Sequence, residues 1–258
     1  MKPMNMIVLM KQTFDTEEKI ALENNDIRED GVEFIINPYD EYAIEEALKI
    51  REEQGGEVTV ITVGPDRSES ALRTALAMGA DKAVLIDDEG LAGDEYGTAK
   101  IIAAAIQGRE YDLILAGNMS IDNGSGQIGP RVAELLQIPQ ITTITKLDIQ
   151  NGKAVAERDV EGNIEVIEAP LPLLVTAQQG LNEPRYPSLP NIMKAKKKPL
   201  ERLTIADLSL QEDEVQSKST VTNRYLPQKK AACRMIEGGA AEQVKELVNI
   251  LESEVKGM

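Results

Sequence analysis

Residues 57–86 read EVTVITVGPDRSESALRTALAMGADKAVLI. Glu57 to Val63 is rich in β-branched residues and predicts a strand. Gly64-Pro65-Asp66 turns the chain into a helix over Ser68 to Met78, and Gly79 stands where a helix-terminating glycine belongs. Lys82 to Ile86 is again a strand. Two continuous apolar strands joined by a helix are the repeating unit of a parallel sheet buried on both faces.

The alternation continues in both directions. Ile7 to Met10 is a short buried-type strand, and Asp40 to Gln54 a helix carrying Tyr42, Ala43, Ala47, Leu48 and Ile50, with Asp40 as its expected N-cap. Glu95 to Ile106 predicts a helix, Asp112 to Ala116 a strand, and Pro130 to Gln137 a helix with proline in its first turn. From Ile141 the pattern changes to a β-hairpin, Ile141–Ile149 and Lys153–Arg158, around the favourable Asn151-Gly152 turn. Ile164 to Ile167 and Leu173 to Thr176 follow as strands. The expected fold is α/β and Rossmann-like: a mostly parallel sheet with helices on both faces, a β-hairpin, and an extended C-terminal arm ending in a helix. The arm is expected over residues 201–258, after an α/β domain over 1–200. Its last helix, Ala240 to Val255, sets Val244, Leu247, Val248, Leu251 and Val255 on one stripe.

Composition narrows the chemistry. The 258 residues include 28 Lys and Arg against 44 Asp and Glu, a net charge of −16, which disfavours nucleic acid and anionic membranes. There is no His, which excludes the Ser-His-Asp and Cys-His arrangements and removes the commonest general base and zinc ligand. The single Cys233 forms no internal disulfide; beside Lys229, Lys230 and Arg234 it reads as an incidental thiol. The apolar run Met6 to Met10 is too short for a signal segment or a membrane span, so a bacterial or archaeal cytoplasm is expected.

In such sheets ligands bind at the carboxyl ends of the strands, which selects the loops after Met10, Val63, Ile86 and Gly117. The richest is Gly117-Asn118-Met119-Ser120-Ile121-Asp122-Asn123-Gly124-Ser125-Gly126-Gln127-Ile128-Gly129-Pro130. Gly124, Gly126 and Gly129 have dinucleotide-fingerprint spacing, but six residues separate Gly117 from Gly124, so the tight turn of that motif is missing. Pro130 stands where a P-loop lysine belongs. What remains is a small-residue loop whose amides can approach an anion at a helix N-terminus, or a solvated glycine loop. Asn37-Pro38-Tyr39-Asp40 is either a helix cap or a polar lip beside the first strand. Later, Leu189, Ile192 and Met193 lie on a proline-stiffened loop before Lys194, Lys196, Lys197 and Lys198: a docking anchor, or residues tucked back into the core.

These residues resemble the beta subunit of electron-transfer flavoprotein, in its AMP-containing branch, up to about Asp207. The most specific stretches are Thr176-Ala177, Leu181-Asn182-Glu183-Pro184-Arg185-Tyr186 and Leu189-Pro190-Asn191-Ile192-Met193-Lys194-Ala195-Lys196-Lys197-Lys198. Asn37-Pro38, Arg73 to Asp81 and Ile121-Asp122 also match. The resemblance implies a non-enzymatic electron-carrier subunit, paired with an alpha subunit that holds most of a redox-active FAD. Electrons would come from acyl-CoA dehydrogenases and related flavoenzymes, as in fatty acid β-oxidation, and leave to a quinone oxidoreductase or another acceptor. It implies a structural AMP contacted by Leu9, by Asn37, Pro38, Tyr39 and Asp40, by Val63, and by Gly117 to Ile128. It also implies dehydrogenase recognition by Leu189, Pro190, Asn191, Ile192, Met193 and the following lysines. Thr16 stands where some members have an aromatic residue near the flavin, and Val63 where some have a smaller polar or thiol side chain. The alternatives are a bifurcating subunit with FAD in the beta site and NADH as donor, an NAD-dependent enzyme built on Gly124 to Gly129, and a stand-alone adenine-nucleotide sensor.

Overall fold

Long apolar runs need a surface on each face, and the computed structural model shows how they obtain it. It describes residues 3–88, 90, 93–228, 230 and 232–255. The strands are β1 (Met4–Leu9), β2 (Gln12–Phe14), β3 (Leu22–Glu23), β4 (Asp26–Ile27), β5 (Phe34–Ile36), β6 (Gly56–Val63), β7 (Lys82–Asp87), β8 (Leu113–Gly117), β9 (Gln140–Gln150), β10 (Lys153–Val160), β11 (Asn163–Pro170), β12 (Leu173–Ala177) and β13 (Leu200–Thr204). The helices are α1 (Pro38–Gln54), α2 (Glu69–Met78), α3 (Glu95–Ile106), α4 (Ile128–Leu136), α5 (Leu189–Ala195), α6 (Glu212–Val215) and α7 (Ala240–Val255).

The main sheet has nine strands in the order β11-β10-β9-β12-β8-β1-β6-β7-β13. From β12 to β13 all neighbours are parallel, while β9, β10 and β11 form an antiparallel extension. Side chains on one face, including Val8, Val60 and Leu115, pack with Ile44 and Leu48 of α1 and Leu72 and Leu76 of α2. Those on the other, including Ile7, Ile61 and Ile114, pack with Ile101, Ile102 and Ile106 of α3 and Val132 of α4. The expected α/β architecture is therefore present. The helix α3 and the helix α7 have the bounds that periodicity predicts.

Several differences have physical causes. The first helix begins at Pro38, so Asn37 is its N-cap and Asp40 lies inside its first turn, freed for another task. The stretch from Leu189 expected as loop is a two-turn helix, because Pro190 sits at the helix start, where it loses no hydrogen bond. Leu200–Thr204 is a sheet strand paired with β7, inside the segment expected as arm. It shows no alternation, because as an edge strand it carries exposed charges and its burial pattern has no period of two.

The chain divides into two compact units. The larger comprises residues up to Ile20 and Arg28–Thr222 and contains the main sheet. The smaller comprises Ala21–Ile27 with the chain from Asn223 onward. Within it, the Arg224 N–H donates to Asn25 Oδ1 at 3.2 Å and the Arg224 guanidinium pairs with Asp26 at 3.3 Å. Cys233 is exposed, and Lys229 lies outside the described residues. Val244, Leu247, Val248 and Leu251 of α7 are all exposed. No helix among the described residues is long and apolar enough to cross a membrane.

Candidate nucleotide crevice and docking segment

The connection from β1 leads to β6 on one side, whereas β8 lies against β1 on the other. A crevice opens where chain directions part in this way, at the carboxyl ends of β1 and β8. Asp40 fills its base. One carboxylate oxygen accepts the Lys11 N–H just beyond β1 at 2.7 Å, and the other accepts the Gly117 N–H at the end of β8 at 3.0 Å. Burial pushes the Asp40 pKa up to about 7, against the opposing pull of those amides and of Asn37. No side chain fits at Gly117: a Cβ there would come within 2.8 Å of the Tyr39 carbonyl carbon and press on the Asp40 carboxylate.

Asn37 performs the same task one step further out. Its Oδ1 accepts the Ile121 N–H at 3.1 Å and its Nδ2 donates to the Met119 carbonyl at 2.9 Å. Lys11 Nζ closes the outer end on the Asp122 carboxylate at 2.7 Å. Burial opposes that charge, but the Lys11 and Ser120 hydrogen bonds prevail and hold the Asp122 carboxyl below its ordinary value. Of the residues singled out by sequence, Asn37, Asp40, Gly117, Met119, Ile121 and Asp122 therefore meet in one tethered assembly. The Asn37 and Asp40 side chains are engaged with the protein itself, so they position the loop. Lys11 was not singled out, although the strand-end rule selects its loop.

Asn118 is bonded through its N–H to Ala177 of β12 at 2.9 Å. Asn123 Oδ1 accepts the Ser125 N–H at 2.8 Å. Gly126 has φ +63°, a conformation that side chains rarely adopt. The loop then enters α4, whose N-cap Gln127 makes no side-chain capping bond and instead accepts from Arg131. Pro130 has no N–H to satisfy, so the amides at the start of α4 are the groups left for an anion. Leu9 is buried in the core, leaving only its backbone at the crevice; Val63 is half-buried at the end of β6, as are Pro38 and Tyr39 at the start of α1. Thr13, just beyond β1, and Thr62, beside Val63, have buried hydroxyl oxygens with no hydrogen-bond partner. Among the described residues no acidic, His or Cys cluster suited to a metal is present.

A family description of the electron transfer flavoprotein domain matches residues 25–208. A protein of Bacillus subtilis (strain 168), named electron transfer flavoprotein subunit beta, is 58% identical over 255 residues, 98% of this chain and 99% of its own. The chain belongs to the electron transfer flavoprotein family. Proteins of the same name from Thermoanaerobacterium thermosaccharolyticum and Syntrophomonas wolfei are 43% and 40% identical, each over at least 97% of this chain and 98% of their own.

The second feature of this electron transfer flavoprotein chain is the segment around α5. Leu189 is 80% exposed and Met193 74%, and Ile192 is also exposed, so the apolar residues point outward and do not fold back into the core. Ser188 caps α5 by accepting the Asn191 N–H at 3.4 Å, and Pro190 starts it. Tethers to α1 and α2 hold the segment. Arg185 donates to Glu45, which is buried on α1, and to Glu52 about two turns later. Asn182 Nδ2 reaches the Tyr42 carbonyl and Glu46. Arg73 of α2 caps the other end, donating to the carbonyls of Ala195 and Lys198 at 3.0 and 3.1 Å.

The lysine cluster is split. Lys194, Lys196 and Lys197 are exposed. Lys198 turns inward, and its ammonium donates to the carbonyls of Leu76, Gly79 and Ala80 at the end of α2. Such a cation neutralises the negative end of the helix. Burial lowers the Lys198 pKa from the ordinary lysine value. A solvated lysine run in sequence is thus three surface charges and one helix cap.

Proposed function

We propose that this chain is the nucleotide-holding and docking half of a two-subunit electron carrier of its family. Its partner, an alpha subunit, holds most of a redox-active FAD. The pair accepts electrons from acyl-CoA dehydrogenases and related flavoenzymes and delivers them to a quinone oxidoreductase or another acceptor. The chain itself contributes no acid, base or nucleophile to that transfer. It binds a structural AMP at the crevice between β1 and β8, presents α5 to the electron donor, and packs its C-terminal arm on the alpha subunit. A residence in the bacterial cytoplasm agrees with this role.

The observation that carries the nucleotide assignment is the tethering of the 117–128 loop. Asp40, Asn37 and Lys11 spend their polar groups fixing that loop to the end of β1, while Gln127 leaves the start of α4 without a side-chain cap. A preformed amide nest of this kind suits one phosphate and needs no lysine. The half-buried residues Pro38, Tyr39 and Val63 supply an apolar wall for a base. The separate compact unit at the C-terminus, with an exposed apolar stripe on α7, supports the arm as a partner-binding element.

The test is to produce the chain with its alpha partner, unfold the purified complex, and separate the released nucleotides by chromatography. One AMP and one FAD per complex are expected. Two FAD and no AMP moves the reading to the bifurcating branch, and NAD or no nucleotide besides FAD removes the crevice assignment. Independently, Leu189→Ala is expected to lower kcat/KM for reduction by an acyl-CoA dehydrogenase about tenfold or more, the scale of losing an apolar hot spot. FAD content should stay unchanged, because Leu189 is largely solvent-exposed. Equal kcat/KM values for the two proteins remove α5 as the docking element.

A further inference from the structure

The loop read above as the phosphate cradle has a second boundary, supplied by α3. Glu95, the first residue of that helix, accepts a hydrogen bond from Asn123 Nδ2 at 2.9 Å and another from the Ser125 side chain. Asn123 in turn accepts the Ser125 N–H. Asn123 and Ser125 therefore each already donate to a carboxylate. The Glu95 backbone N–H, against burial and with help from Asn123 and Ser125, holds its carboxyl below the ordinary glutamate value.

The carboxylate is also fixed in place. Asp94, next to it, caps α3 through one oxygen, which accepts the N–H groups of Tyr96 and Gly97 at 3.1 and 3.0 Å. The other oxygen accepts the N–H groups of Lys218 and Ser219 at 2.6 and 3.0 Å. Glu95 thus projects from a helix start clamped on both sides. The cations in this region already have partners: Lys11 pairs with Asp122 at 2.7 Å, Lys100 and Lys218 lie over the Tyr96 ring at 5.2 and 5.3 Å, and Arg131 donates to Gln127.

We infer that Glu95 is a specificity-determining residue that limits this site to a nucleotide with a single phosphate. The inference rests on the nucleotide reading of the crevice. One phosphate can use the amides at the start of α4. A second would need the donors of Asn123 and Ser125, and would meet the Glu95 carboxylate there. Like charges brought together at the outer end of this loop repel enough to change an affinity about tenfold or more. A diphosphate, free or within a dinucleotide, is rejected on both counts.

The experiment uses the full chain in complex with its alpha partner, stripped of nucleotide and titrated by calorimetry with AMP and with ADP. The wild type is expected to prefer AMP by about tenfold or more. In Glu95→Gln and in Glu95→Ala the preference should fall to within about threefold, mainly through tighter ADP binding. Raising the salt concentration should narrow the wild-type preference and leave that of the variants little changed. A wild type that binds ADP as well as AMP overturns the inference, as does an undiminished AMP preference in both variants. A wild type that binds neither nucleotide overturns the reading of the crevice itself, and the inference with it.

Discussion

Exchanging Asp40 for alanine is expected to destabilise the protein by about 2–4 kcal/mol, the scale of leaving two shielded backbone donors without an acceptor. The donors are the N–H groups of Lys11, just beyond β1, and of Gly117, at the end of β8, and both point at this carboxylate. Asparagine is expected to recover part of the loss, since its one carbonyl oxygen can serve one of them. Urea denaturation of wild type, Asp40→Ala and Asp40→Asn reads the difference directly. Equal midpoints would show that the strand ends hold together without the bridge.

The same residue carries a pH dependence of defined sign. Burial raises the folded-state pKa of Asp40 to about 7, well above that of an unfolded aspartate. The folded chain therefore keeps this proton longer than the unfolded chain does. The stability linked to that proton is complete below about pH 4 and is lost as pH rises through about 7. The gap between wild type and Asp40→Asn should accordingly narrow between about pH 4 and pH 7 and level off above. Carboxylates such as Asp122, whose pKa is lowered, act in the opposite sense and at lower pH. A gap that widens with rising pH would contradict the raised value.

Arg185→Ala is expected to have the second large effect, about 2–4 kcal/mol, because it strips the partner from a buried charge. Glu45 is only 6% exposed, and Arg185 meets it with two side-chain bonds while also engaging Glu52. Lysine at 185 should recover less than half, because an ammonium cannot span both carboxylates as a planar guanidinium does. The substitution also releases the chain that leads into α5, so protease cleavage within residues 182–198 should accelerate. Unfolding midpoints and cleavage rates for the three proteins check this. Unchanged cleavage in the alanine variant would mean that Arg73 and Asn182 suffice to hold the segment.

Most of the α/β architecture was legible because its signals are local. The buried strands β1, β6, β7, β8 and β12 are continuous apolar runs, and glycines mark the ends of α1 and α2. The choice of strand-end loops followed from the same pattern and selected the 117–128 loop, whereas Asn37 and Asp40 stood out as a helix entry and through the family resemblance. Other elements carried no such signal. Edge strand β13 is a charged, half-exposed stretch that becomes a strand only because β7 offers it hydrogen bonds. The small pairs β2–β5 and β3–β4 are too short for a period to show.

By itself, then, the amino-acid sequence determined the alternation of elements, the family resemblance and the loops able to meet a ligand. Each depends on neighbours within a few turns of chain. Tertiary structure decided what individual polar side chains do. Asn37 reaches Met119, Glu95 reaches Asn123, Arg185 reaches Glu45, and Lys198 reaches the end of α2. In each case a side chain meets groups far away in sequence, and for all but the exposed Glu95 pair desolvation would otherwise leave those groups unpaired. No local pattern encodes such a partner, because the pairing exists only once the strands lie in their final order.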